Sequence, residues 1–93
     1  MKAIWNGQLL AESVETIVIE GNHYFPPKDV NLDFFNNSDY HTTCHIKGKA
    51  FYYTITVNGQ MNIDAAWFYP SPKEPAKEIK NHIAFWKGVE VSL

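Results

Sequence analysis

The sequence predicts a mainly β protein, β-rich α+β in class: a small, strongly bent antiparallel sheet or half-open barrel with two short helices. Three observations predict it. Asn-Gly occurs at Asn6-Gly7 and Asn58-Gly59, each time between extended segments, and that dipeptide accepts the two positive-φ positions of a tight hairpin turn. From Lys49 to Val57 the residues alternate, with Phe51, Tyr53, Ile55 and Val57 on one face and Ala50, Tyr52, Thr54 and Thr56 on the other. Val14 to Glu20 (VETIVIE) is rich in β-branched residues, which suit a pleated surface.

In chain order, the first hairpin turns at Gly7. VETIVIE is apolar on both parities, so it is expected to be a strand covered on both faces, and Gly21 ends it. The run PPKDVN suits one short helical turn, because Pro27 fits a first helical position where no amide donor is needed. NLDFFNNSDY reads as a loop leading to HTTCHIKG, itself a turn entering the alternating strand. A second hairpin turns at Gly59. Asp64 to Tyr69 (DAAWFY) follows as a strand and is stopped by Pro70, Pro72 and Pro75, whose missing amides discourage ladder pairing. PAKEIK (75–80) is the second short helix, with Asn81 able to take a left-handed cap. HIAFW and VEV are final strands flanking a Lys87-Gly88 turn.

Ninety-three residues make a single domain, 1–93, since halves of that length would each lack an adequate core. Net charge is -2 and all eight basic residues are lysine, so no guanidinium is present to grip phosphate or guanine bidentately, which disfavours a nucleic-acid partner. The apolar runs are far shorter than the roughly 20 residues a membrane span needs. The opening MKAIWNGQLLAES is interrupted by Asn6, Gly7 and Gln8 where a secretory leader would be apolar. With one cysteine and so no internal disulfide, a cytoplasmic protein is expected.

The densest chemistry lies in His41-Thr42-Thr43-Cys44-His45-Ile46-Lys47-Gly48. His41, Cys44 and His45, with His23 or His82, have the donor atoms for zinc, but the remaining histidines are distant in sequence and an extended segment sends Cys44 away from its two neighbours. No metal and no cofactor is expected. Cys44 and Lys47 are the candidate catalytic pair, because a nearby ammonium favours the nucleophilic thiolate; the alternative is a small buried hydrophobe. Gly48, Ala50 and Tyr52 share one parity, and small residues leave space above a sheet that a phenol can close. Trp67 and Tyr69 share a face in the same way.

The segments HYFPPKDV (23–30), SDYHTTCHIKGKAFYY (38–53), DAAWFYPSPK (64–73) and IKNHIAFWKGVEV (79–91) resemble the bacterial and fungal family catalogued as domain of unknown function 427. Its motifs, Tyr-Phe-Pro-Pro, Cys-Pro-x-Lys-Gly-x-Ala-x-Tyr, Ala-Ala-Trp-x-Tyr-Pro-x-Pro and Ala-Phe, occur in the same order over nearly the whole chain. The resemblance singles out Tyr24 and Phe25 with Pro26 and Pro27, then Cys44, Lys47, Gly48, Ala50 and Tyr52, then Ala66, Trp67, Tyr69 and Pro70, and Ala84 with Phe85. His45 stands where the family has proline. The family also carries a nucleotidyltransferase-like label, which implies carboxylates for divalent metals and a phosphate cradle. Asp39 and Asp64 are isolated in sequence and no phosphate-loop motif occurs.

The expected function is therefore binding of a small polar or anionic ligand in an aromatic-lined pocket, with Tyr24, Lys47, Gly48, Tyr52, Trp67 and Tyr69 as binding residues and a thiol at its edge. Nucleotide binding or nucleotidyl transfer is one alternative. Another is an interaction module or homodimer without catalysis, built on Phe34, Phe35 and Tyr40.

Overall fold

The computed structural model describes residues 1–93, in nine strands: β1 (Lys2–Trp5), β2 (Gln8–Glu12), β3 (Ile17–Ile19), β4 (Asn22–Tyr24), β5 (Phe35–Cys44), β6 (Gly48–Val57), β7 (Gln60–Phe68), β8 (Ala84–Phe85) and β9 (Glu90–Ser92). They form three antiparallel sheets, ordered β2-β1-β9, β3-β4 and β5-β6-β7-β8. The protein is mainly β, as its alternation and turn chemistry predict, and the sheets stay open rather than closing into a barrel. No helix is long and apolar enough to cross a membrane.

Both Asn-Gly hairpins form, with φ of 50° and 73° at Asn6-Gly7 and 52° and 76° at Asn58-Gly59. Lys87-Gly88 turns in the same way, and Asn81 takes its left-handed position at φ 61°. A further hairpin joins β3 to β4 through Glu20 and Gly21, at φ 54° and 80°.

Several expectations are corrected. The two short helices are 3-10 segments: Pro27–Asp29, closed by Val30 N–H donating to Pro27 O at 3.3 Å, and Glu74–Ile79, kinked at Ala76. Segments this short close too few bonds to offset helix nucleation, and the prolines keep them to isolated turns. NLDFFNNSDY is not a loop: Leu32–Phe34 makes a third 3-10 turn, and β5 runs from Phe35 to Cys44, so HTTC is strand and only His45–Lys47 turns. VETIVIE pairs only over Ile17–Ile19 and is not covered on both faces, since Val18 is 55% exposed. Its partner β4 is equally short, and this two-stranded sheet has one face against the core.

β6 organises the core. Its odd residues Ile55 and Val57 join the larger apolar cluster with Phe25, Phe35, Ile83 and Phe85, while its even residues Ala50 and Tyr52 join a smaller cluster with Tyr24, Tyr69, Ile79 and Ala84. Burying a large side chain such as Phe25, which is fully enclosed, contributes roughly 1.5–3 kcal/mol, and its edge-to-face contact with Phe85 at 5.5 Å orients both rings. Register breaks flank the middle of β6: between Asn37 and His41 on β5, and opposite Tyr53 and Ile55 on β7, where Asp64 sits at φ 57°. Extra residues on both neighbours sharpen the local bend and twist.

Candidate functional site

The smaller cluster is open on one side. There, Asn22, Tyr24, Lys47, Tyr52, Trp67, Tyr69 and Trp86 line a cavity of about 230 Å³. The sheet supplies its floor by simple register. Tyr52 on β6 faces Trp67 on β7, and Trp67 in turn faces Ala84 on β8. The β3-β4 hairpin supplies the opposite wall with Asn22 and Tyr24. It is held at its base by paired backbone bonds between Phe25 and Ile83 (2.8 and 2.9 Å) and at its tip by an ion pair between Glu20 and the Lys47 ammonium.

Four of the five rings, those of Tyr24, Tyr52, Trp67 and Trp86, are fixed by specific contacts. Trp67 Nε1 donates to Tyr24 Oη at 3.3 Å, with the rings edge-on at 6.2 Å. Tyr52 Oη shares a 3.0 Å hydrogen bond with Thr42 Oγ1 across β5-β6, and Tyr40 packs on the Tyr52 ring at 4.8 Å. Trp86 is placed by the β7 bulge: its Nε1 donates to Asp64 O at 2.6 Å and its backbone N–H to Ala65 O at 3.0 Å. Asp64 is itself held by Ser38 Oγ, which donates to its carboxylate. Burial pushes the Tyr69 phenol up to about 12, aided by negative charge on Tyr24, Cys44 or Tyr52, and burial likewise raises Tyr24 against the opposing effect of the Trp67 hydrogen bond. The Tyr24 and Tyr69 phenols are therefore neutral at ordinary pH.

Of the residues expected to bind, Tyr24, Lys47, Tyr52, Trp67 and Tyr69 are brought together around this cavity. Gly48 is not in its lining. It pairs with Cys44 at the end of β5-β6, with φ 112°, and a Cβ there would lie 3.2 Å from Ser71 O, so it permits the 71–73 segment to cross the hairpin. Lys73 straps the turn from that side, its N–H donating to Lys47 O at 2.8 Å and its Nζ to His45 O at 2.9 Å. Cys44 is half-buried and, like Gly48, is not in the lining, while the Lys47 ammonium is committed to Glu20.

Sequence reasoning missed Asn22 and Trp86. Asn22 carries no pattern that marks it. Trp86 was within reach of strand parity: Phe85 enters the larger cluster, so Ala84 and Trp86 fall on the other side with Trp67.

No three histidine, cysteine, aspartate or glutamate side chains converge anywhere. His41 packs on Phe51 at 4.5 Å, His23 Nδ1 shares a 3.0 Å hydrogen bond with Thr16 Oγ1, and His82 Nδ1 lies 3.0 Å from Lys80 O. Phe35 is buried and Phe34 packs against the larger cluster, so those two do not form the exposed patch expected of an interaction module. A second hollow, about 320 Å³, runs along β2 between Gln8 and Asn31. It contains no aromatic ring, and its Asp29 carboxylate is taken by the Ser13 hydroxyl at 2.6 Å.

No curated protein matches this chain. Among protein families, the one described as Domain of unknown function (DUF427) matches residues 1–92. The match spans all four segments that carry the Tyr-Phe-Pro-Pro, Lys-Gly-x-Ala-x-Tyr, Ala-Ala-Trp and Ala-Phe motifs, and the protein belongs to the DUF427 family.

Proposed function

We propose that this protein binds a small polar ligand in the aromatic cavity, with Lys47 and the tyrosine hydroxyls as its polar contacts and Cys44 as a modifiable thiol at its edge. The observation that carries this reading is the convergence of residues far apart in sequence, Tyr24, Lys47, Tyr52, Trp67 and Tyr69, on one hollow of about 230 Å³. Recognition sites have this make-up: apolar walls with a few placed polar groups. The size favours a compact ligand, since drug-sized ligands occupy cavities of about 300 Å³ and more. A nucleoside triphosphate is larger still, and no carboxylate able to hold its metal ions lines the cavity, so nucleotidyl transfer draws no support from the lining.

The test is a thermal-shift screen of metabolites on the wild type and on Lys47→Met and Tyr52→Phe. A ligand of this cavity raises the wild-type midpoint, does so less in both variants, and slows alkylation of Cys44. Hits that stabilise all three proteins equally, with unchanged alkylation, would place the ligand elsewhere.

A further inference from the structure

Resting on that reading, we propose that the cavity takes a small zwitterion, with a methylated ammonium among Tyr52, Trp67 and Trp86 and an anionic group toward Lys47. Three rings border one hollow with centroids 6.0–6.4 Å apart, and their planes differ by 38° for Tyr52 and Trp67, 46° for Tyr52 and Trp86, and 82° for Trp67 and Trp86. Parallel rings would make a slot for a flat heterocycle. Rings inclined to one another leave no flat slot, and π faces set at several angles around one hollow suit a rounded, weakly hydrated cation. Trp86 already draws a cation, with Lys87 Nζ 5.1 Å from its ring centroid.

The polar lining narrows the class further. The only ionic group in the lining is the ammonium of Lys47, whose side chain is 12% exposed and whose partner, the Glu20 carboxylate, is 69% exposed and outside the lining. An anionic group on the same ligand can take the place of Glu20 on Lys47, so a ligand carrying both charges uses the whole lining where a bare cation uses only the rings. Separation of the ammonium subsite from Lys47 then sets the distance between the ligand's two charges. Alkylation of the nitrogen matters because an unmethylated ammonium would have to surrender strong hydrogen bonds to water, which the three rings do not replace.

The experiment uses glycine betaine, its tert-butyl isostere 3,3-dimethylbutanoate and tetramethylammonium, titrated into the full chain while the indole N–H resonances are followed by NMR. The protein has three tryptophans, and Trp5 lies outside the cavity as an internal control. Betaine is expected to shift the Trp67 and Trp86 resonances saturably and to bind about tenfold more tightly than 3,3-dimethylbutanoate, which has the same shape and carboxylate but no positive centre. In Lys47→Met its advantage over tetramethylammonium should disappear. Trp86→Leu, at a residue 44% exposed, should weaken betaine and leave 3,3-dimethylbutanoate nearly unchanged. Equal affinity for betaine and its isostere would overturn the cation assignment and leave an apolar cavity. No betaine shift, with a different metabolite from the screen moving the same two indoles, would overturn the zwitterion and retain the cavity as a site. If neither betaine nor any screened compound moves them, both readings fall.

Discussion

Trp67 donates its indole N–H to the hydroxyl of Tyr24 at 3.3 Å, although 43 residues separate the two in sequence. This bond ties the wall of the cavity to its floor. Tyr24→Phe keeps the ring and leaves one partly buried donor without its partner, so it should cost about 1 kcal/mol in urea unfolding. Tyr24→Ala also empties a fully enclosed site and should cost about 3–5 kcal/mol. Equal losses in the two variants would mean that the hydroxyl, and not the ring, holds the hairpin.

The glycines differ in what surrounds them. Gly59 and Gly48 both have positive φ, at 76° and 112°, but nothing lies within 4 Å of a Cβ built on Gly59, whereas on Gly48 it meets Ser71 O at 3.2 Å. Gly59→Ala should therefore lose about 1 kcal/mol from backbone strain alone, and Gly48→Ala should lose more, because the 71–73 strap must also move. Thermal midpoints of the two variants in parallel decide it.

Alkali should destabilise the protein through its cavity. The Tyr69 phenol rises from 10.0 to about 12 on folding, chiefly by burial, so its contribution is intact below about pH 10, diminishes as pH climbs toward 12, and is lost above. Tyr69→Phe should flatten the fall in urea midpoint across this window. Ultraviolet titration should show one phenol fewer among the late-ionising group, with Tyr24 and Tyr53, both raised by burial, remaining in it.

At the hairpin tip, charge contributes little to stability. Glu20 is 69% exposed, so Glu20→Gln should change unfolding free energy by less than about 1 kcal/mol. Lys28, raised by its hydrogen bond to Glu15, is in the same position on an exposed surface, and Lys28→Met should be similarly silent. A loss of several kcal/mol at Glu20 would show that the ion pair, rather than the Phe25 and Ile83 backbone bonds, anchors the hairpin.

Local chemistry was legible in the sequence and long-range geometry largely was not. Asn6-Gly7 and Asn58-Gly59 announce their turns because few other residues tolerate successive positive φ, and β6 announces itself because its two faces differ in kind. The placement of Tyr52, Trp67 and Tyr69 on one side follows from parity and family motif together. β5 was obscured by composition: Asn36, Asn37, Ser38 and Asp39 are poor strand formers, and their segment is extended because β6 offers a ladder and because the bulge absorbs the mismatch. Glu20-Gly21 gives the same positive-φ pair as Asn-Gly, yet glutamate does not advertise it. Trp86 falls on the cavity side by parity with Ala84, but the bond that fixes its ring, to the carbonyl of Asp64, depends on a left-handed backbone that no local pattern foretells.

The separation of β3 and β4 into a sheet of their own bears on how occupancy would be sensed. Apart from the Phe25–Ile83 bridge at its base, the hairpin has no ladder to the larger sheets, so its opening need not await global unfolding. A molecule touching both Tyr24 and Lys47 would clasp the hairpin to the β5-β6 end through its buried wall rather than through the exposed Glu20 at its tip. Amide exchange at Ile17–Ile19 and Asn22–Tyr24 would then slow in proportion to saturation while exchange in β6 stayed unchanged, making the hairpin the part of the molecule whose breathing reports on its contents.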